Sequence, residues 1–221
     1  MSIAVEPRHW RHLLLEPTLG KQCWGFVIGS ALFALGSAPG FGSWAGASNS
    51  NLCYFVGAWF FTAAGLVQLL RSGPATVSVD YGSGTMVRAE WLAASTQSAG
   101  TIMFNVSTAS ALTAHTAAAD KHFVWSPDAA GSVAFLISGV AAIIAYTRTD
   151  RWWNPRSVDW WSTQINWIGC VAFAVSAVGA YVLADGNSLD NTLANTGTFV
   201  GALCFMFASL IVAPTWRHHD R

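Results

Sequence analysis

The chain has 221 residues, of which 53% are hydrophobic, 10% are charged and 12 are tryptophans, with a formal net charge of zero. This composition excludes an ordinary water-soluble domain and fits a polytopic membrane protein. Eleven basic residues are balanced by eleven acidic ones, and a net charge of zero gives no electrostatic footprint for nucleic acid, whose binders usually carry a clustered basic face.

Residues 1–22 carry Glu6, Arg8, Arg11, Glu16 and Lys21 and lack an apolar core ahead of a small-residue cleavage site, so no cleavable signal peptide is expected. Arg8 to Leu15, with Trp10, reads as a short interfacial helix on the cytoplasmic leaflet. Six uncharged apolar stretches follow: Cys23 to Ser37, Asn51 to Leu70, Leu92 to Ala114, Ala129 to Tyr146, Trp161 to Leu183 and Leu193 to Ala213. Each approaches the roughly 20 residues of a bilayer-crossing helix, which predicts an all-α integral membrane protein with six transmembrane helices. Residues 214–221 form a tail.

Ten of the eleven Lys and Arg residues fall before the first stretch, between the second and third, between the fourth and fifth, or after the sixth. Lys121 is the exception, and the positive-inside rule then predicts that both termini are cytoplasmic. Tryptophans at predicted interfaces agree, because an indole sits well at headgroup level. Trp10, Trp24, Trp91, Trp152, Trp153, Trp160, Trp161 and Trp216 lie at the predicted inner boundary and act as anchors, with Trp44 and Trp125 at the outer one. Trp59 and Trp167 lie within spans.

The second and sixth stretches share N-x-x-x-F-V-G-A-x-x-F-x-x-A-[GS]-L, running from Asn51 to Leu66 and from Asn195 to Leu210. The fourth keeps Phe135, Ser138 and Gly139. Among the odd stretches, Glu90-Trp91 leads into Ser95-Thr96-Gln97 and Asp159-Trp160 into Ser162-Thr163-Gln164, while Ile28-Gly29-x-x-x-Phe33 echoes Ile168-Gly169-x-x-x-Phe173. The chain therefore reads as three tandem two-helix hairpins, related by an axis along the membrane normal. They close into a pseudo-threefold bundle or lie in a row.

The run Gly25-Phe26-Val27-Ile28-Gly29-Ser30-Ala31-Leu32-Phe33, and Gly197-Thr198-Phe199-Val200-Gly201 continuing to Ala208-Ser209 ahead of Pro214, resemble the YrhK-like family of small bacterial membrane proteins. The resemblance implies a multi-pass protein of the bacterial cytoplasmic membrane and carries over no catalytic residue.

Candidate functional residues are few. Gly25 with Gly29, Gly197 with Gly201, Gly57 of the repeated stretch, and the stripe Ala172, Ser176, Ala180 have the small-residue character of close helix packing, within the bundle or against another membrane protein or a second copy. Gln97, Thr101, Asn105 and Thr108 recur at helical spacing and must face inward, as interhelical hydrogen bonding or as the lining of a pocket. All six histidines (His9, His12, His115, His122, His218 and His219) lie in predicted loops or tails, the wrong place for a transmembrane haem, so no cofactor and no metal is expected. Cys23, Cys53, Cys170 and Cys204 read as buried packing residues. With no carboxylate or base inside a predicted span, proton-coupled transport is disfavoured; catalysis is disfavoured because the predicted loops, Pro39 to Ser50 and the one holding Asp120, Lys121, His122 and Asp128 among them, are short and proximity in sequence is a weak site signal. Two functions remain: a non-catalytic scaffold or accessory subunit that binds lipid or a partner membrane protein, or a passive channel or binding pocket for a small neutral or hydrophobic solute.

Overall fold

The computed structural model describes residues 16–78, 84–114 and 116–214 and is dominated by helices. Helix α1 (Leu19–Ser37) starts where the Thr18 hydroxyl accepts the Lys21 N–H at 3.3 Å. A short α2 (Phe41–Ala45) and α3 (Ala47–Arg71) follow, joined through Gly46 at φ +88°. Strands β1 (Thr76–Ser78) and β2 (Thr85–Val87) pair antiparallel, with Val77 opposite Met86. Next come α4 (Ala89–Ala111), α5 (Ala117–Ala119), a π-helical turn over Asp120–Trp125, and α6 (Ser126–Thr149). Helix α7 (Val158–Gly179) is capped by the Ser157 hydroxyl, and α8 (Asn191–Ile211) by the Asp190 carboxylate.

Three helices, Ala47–Arg71, Ala117–Thr149 and Asn191–Ile211, are long and apolar enough to cross a membrane. Helices α1, α4 and α7, of 19, 23 and 22 residues, reach about 28 to 35 Å at 1.5 Å per residue. Their buried faces carry more polar groups, for instance Gln97, Ser98, Thr101, Ser107 and Thr108 on α4. Two expected loops are corrected. The segment from Pro39 to Ser50 holds α2 and the first turn of α3, and the segment with Asp120, Lys121, His122 and Asp128 is helical and runs straight into α6. Arg8 to Leu15, Trp10, Trp216 and the histidines at positions 9, 12, 115, 218 and 219 lie outside the described residues.

Each long helix packs on two neighbours, in the order α1, α3, α4, α6, α7, α8, and α8 returns to α1. The ring closes. Lys21, Arg71, Arg88, Arg148, Arg151 and Arg156 gather at one end, the basic end, where the Arg71 guanidinium donates to Gln22 at 2.5 Å. Asp120, Lys121, Asp128, Asp185 and Asp190 mark the opposite, acidic end.

An eight-residue pattern on all six long helices explains the packing. Gly29, Gly57, Gly100, Gly131, Gly169 and Gly201 are each followed by a small residue, then at +4 by a phenylalanine and at +7 by another small residue. The residues at +1 (Ser30, Ala58, Thr101, Ser132, Cys170 and Ala202) are at most 2% exposed. Between α1 and α3 the fit is reciprocal: a Cβ on Gly57 would lie 2.8 Å from the Phe33 ring, and one on Gly29 would lie 3.3 Å from the Phe61 ring. Gly100 and Gly131 face Phe135 and Phe104 in the same way, and Gly169 and Gly201 face Phe205 and Phe173. Backbones approach closely here, with the Gly57 carbonyl oxygen 2.9 Å from the Cβ position of Gly29. Such shape matching and the dispersion contacts it allows hold closely packed helices together.

The six phenylalanines meet on the axis in two tiers. Phe33, Phe104 and Phe173 form the tier nearer the acidic end, with ring centroids 5.8 to 6.3 Å apart. Phe205 touches Phe61 at 6.2 Å and Phe135 at 5.3 Å in the tier nearer the basic end. Contacts of 5.0 to 5.3 Å (Phe33 to Phe61, Phe104 to Phe135, Phe173 to Phe205) join the tiers. Most of these pairs are tilted or edge-to-face, the geometry that aromatic quadrupoles favour.

Candidate functional site

The phenylalanine plug divides the axis into two hollows. The hollow at the basic end, about 160 Å³, is lined by Gln22, Gln68, Gln97, Ser138, Asn166 and Phe205 among others. Its polar groups are uncharged. The Ser138 hydroxyl lies 2.9 Å from Gln97 Oε1 and 2.8 Å from the Ala93 carbonyl oxygen, while Gln68 Oε1 is buried without a partner among the described residues.

The hollow at the acidic end measures about 300 Å³, with Phe33 at its floor and Tyr54, Trp125, Asp128, Asn195 and Thr198 among its walls. That volume falls at the lower edge of small-molecule sites. The Trp125 indole N–H donates to the Ala177 carbonyl at 2.8 Å, and its ring meets Tyr181 edge-on at 4.8 Å. Lys121 Nζ donates to the Tyr181 hydroxyl at 2.7 Å and sits 4.5 Å from that ring's centroid. The Ser176 hydroxyl bridges α7 to α8 through the Ala194 carbonyl and Thr198 Oγ1, both at 2.7 Å. A turn at Gly186, φ +87°, and the pairing of Val182 with Ser188 bring Val182, Gly186 and Ser188 over the hollow. On that turn the backbone and side-chain N–H groups of Asn187 hold the Asp185 carboxyl below the usual carboxylate range.

The structure separates the four polar residues expected on one face of α4. Gln97 lines the basic-end hollow and Thr108 the acidic-end one. Thr101 lies between them, fully buried, with its hydroxyl on the Ser98 carbonyl at 2.7 Å. Asn105 is turned off the axis, donates to the Thr62 hydroxyl on α3, and leaves Oδ1 buried without a partner among the described residues. At about 100° per residue, Thr108 returns to within about 20° of Gln97 around the helix, whereas Asn105 sits about 80° away.

The small-residue stripes are taken up within the chain. Gly25 faces Ala64 and the Phe60 carbonyl, Gly197 faces the Ala172 carbonyl and Ser176, and Ala180 lines the acidic-end hollow. Trp152, Trp153, Trp160 and Trp161 meet in succession, tilted or edge-to-face, at 4.9 to 5.9 Å, with Trp160 and Trp161 donating to the Trp152 and Pro155 carbonyls. Trp91 is half-buried at the start of α4. No disulfide joins the four cysteines, all of which lie among the described residues.

No protein-family model, curated protein or solved structure matches this chain. Function is therefore read from the plug and its two hollows. Two features of that site escape the sequence reading. Gly and Phe four residues apart on all six helices are visible in the sequence, yet Gly100 with Phe104 and Gly131 with Phe135 are easily passed over beside the longer match of the second and sixth stretches. Asp128 stands one residue before the charge-free stretch beginning at Ala129, so a boundary drawn at the last charge placed outside the bundle a carboxylate that lines its axis.

Proposed function

We propose that this chain is a non-catalytic, multi-pass protein of the bacterial cytoplasmic membrane. Its six long helices cross as three tandem hairpins with both termini inside, and the acidic end holds a small molecule in a blind axial pocket. The six-phenylalanine plug carries this reading, because two hollows on one axis with aromatic rings packed between them make pockets rather than a passage. The closed helix ring, the pattern shared by all six helices and the gathering of basic residues at one end support the hairpin repeat and the orientation. The YrhK-like resemblance supplies the bacterial setting.

A second reading, an accessory subunit that docks lipid or a partner membrane protein, draws on the tryptophan cluster, where Trp152 is 75% exposed. The small-residue stripes give it less support, since their contacts are filled within the ring. Native mass spectrometry of the gently extracted protein separates the two. A monomer carrying a small non-lipid molecule supports the pocket. A stoichiometric protein partner with the pocket empty supports the accessory subunit and overturns the pocket.

A further inference from the structure

We infer that the acidic-end pocket binds a small primary ammonium ion through Asp128, an inference that rests on the pocket proposed above. Asp128 projects into a hollow about 300 Å³ in volume, and among the described residues it forms no hydrogen bond and no ion pair. Asp128 is half-buried, and a carboxylate partly withdrawn from water without a partner is costly. Its own helix gives no relief, because Ala117–Thr149 runs unbroken through this position and leaves no free N–H at a helix start. The nearby cation, Lys121, is engaged with Tyr181.

The repeat marks this carboxylate as special to one copy. Three residues before the pattern glycine, α3 has Tyr54, α6 has Asp128 and α8 has Thr198, and all three line the same hollow. Packing at that position is met by an uncharged residue in two copies, so packing does not account for the third. A six-residue π-helical turn, Asp120–Trp125, stands just ahead of Asp128, and such turns are rare and concentrate at functional sites.

The other walls match an alkylammonium group. Its three N–H donors need three acceptors. The Asn51 amide donates to the Ala111 carbonyl at 3.3 Å and that of Asn195 to Asn191 at 3.1 Å, so the amide oxygens of both residues, which line the same hollow as the carboxylate, are left as acceptors. Phe33, Tyr54 and Trp125 add aromatic surface for the apolar part of the ligand and for the cation. A neutral solute of the same shape would use the rings and leave Asp128 unpaired.

The test uses full-length Thr198→Cys protein in detergent, with the wild type as the control for native cysteines, N-ethylmaleimide as the thiol label and phenethylamine as the probe. Its neutral isostere is 2-phenylethanol. The expected result is labelling of the introduced thiol that phenethylamine blocks at a concentration at least tenfold lower than 2-phenylethanol does, with the gap abolished by adding Asp128→Asn. Equal protection by amine and alcohol, or equal protection by sodium chloride at the amine's concentration, overturns the ammonium inference and leaves the pocket standing. An introduced thiol that does not label at all in folded protein overturns the pocket reading and this inference with it. The amine-to-alcohol comparison needs only the Thr198→Cys protein, so it decides the matter even if the double variant fails to fold.

Discussion

Gly57→Ala tests the Gly–Phe interlock at its tightest backbone approach. A Cβ at position 57 would lie 2.8 Å from the Phe33 ring and 2.9 Å from the Gly29 carbonyl oxygen, whereas ordinary contact begins at 3.4 Å. Phe33 is hemmed in, because its ring also meets those of Tyr54, Phe61, Phe104 and Phe173. Helices α1 and α3 must therefore separate by roughly half an ångström, a gap that forfeits a quarter or more of each dispersion contact along the seam. Overpacking of this kind costs about 1 to 3 kcal/mol, and the better helix propensity of alanine offsets up to about 1 kcal/mol. The expected net loss is about 1 to 2 kcal/mol. Gly42→Ala in α2 is the control, since its Cβ would meet only Ser50 Oγ at 3.6 Å, and it should fall within about 0.5 kcal/mol of wild type or above it. Reversible unfolding in mixed micelles, followed by circular dichroism, measures both. A Gly57→Ala protein no less stable than Gly42→Ala would refute the interlock.

Asn105→Leu removes one hydrogen bond to Thr62, worth about 1 kcal/mol or less between membrane helices, together with a buried oxygen that lacks a partner among the described residues. Stability in the same assay should stay within about 1 kcal/mol of wild type, and a loss above about 3 kcal/mol would contradict this. At the basic end, the backbone N–H of Arg151, then Asn154 and then Tyr146 hold the Asp150 carboxyl below the usual range. A depressed folded pKa stabilises the protein above the unfolded value near about 3.9 and ceases to do so as pH falls through the folded value. Asp150→Ala should therefore melt lower than wild type at pH 7, with the difference closing in acid below about pH 4; a difference that stays constant into acid would refute the assignment. For orientation, a reporter fused after Arg221 should be active only in the cytoplasm, and Ser188→Cys should label only from outside; the reverse pattern would overturn the topology.

Charge-free runs gave helix ends within four residues of those of α1, α3, α4, α7 and α8, because an unpaired charge is expensive to bury whatever the fold. The same rule failed at α6, where a carboxylate can sit at the axis if it faces a hollow instead of acyl chains. The helical start at Ala117 and the π turn over Asp120–Trp125 were hidden for a related reason: the segment is polar enough to read as a loop, and its helicity comes from continuing into α6 and contacting α4. On α4, residue spacing alone placed Asn105 with Gln97 and Thr108, but a 3.6-residue helix turns Asn105 away toward α3. The phenylalanine plug was legible in principle from six Gly–Phe pairs, whereas the hollows on either side of it depend on how six helices meet.

The most direct test of the blind pocket is solute permeability. Proteoliposomes of the wild-type chain, followed by stopped-flow light scattering with glycerol and with urea, should be no more permeable than empty liposomes of the same lipid, since Phe33, Phe104 and Phe173 stack on Phe61, Phe135 and Phe205 across the axis. Permeability to either solute that rises in proportion to the amount of protein would show an open path along the axis and contradict the account.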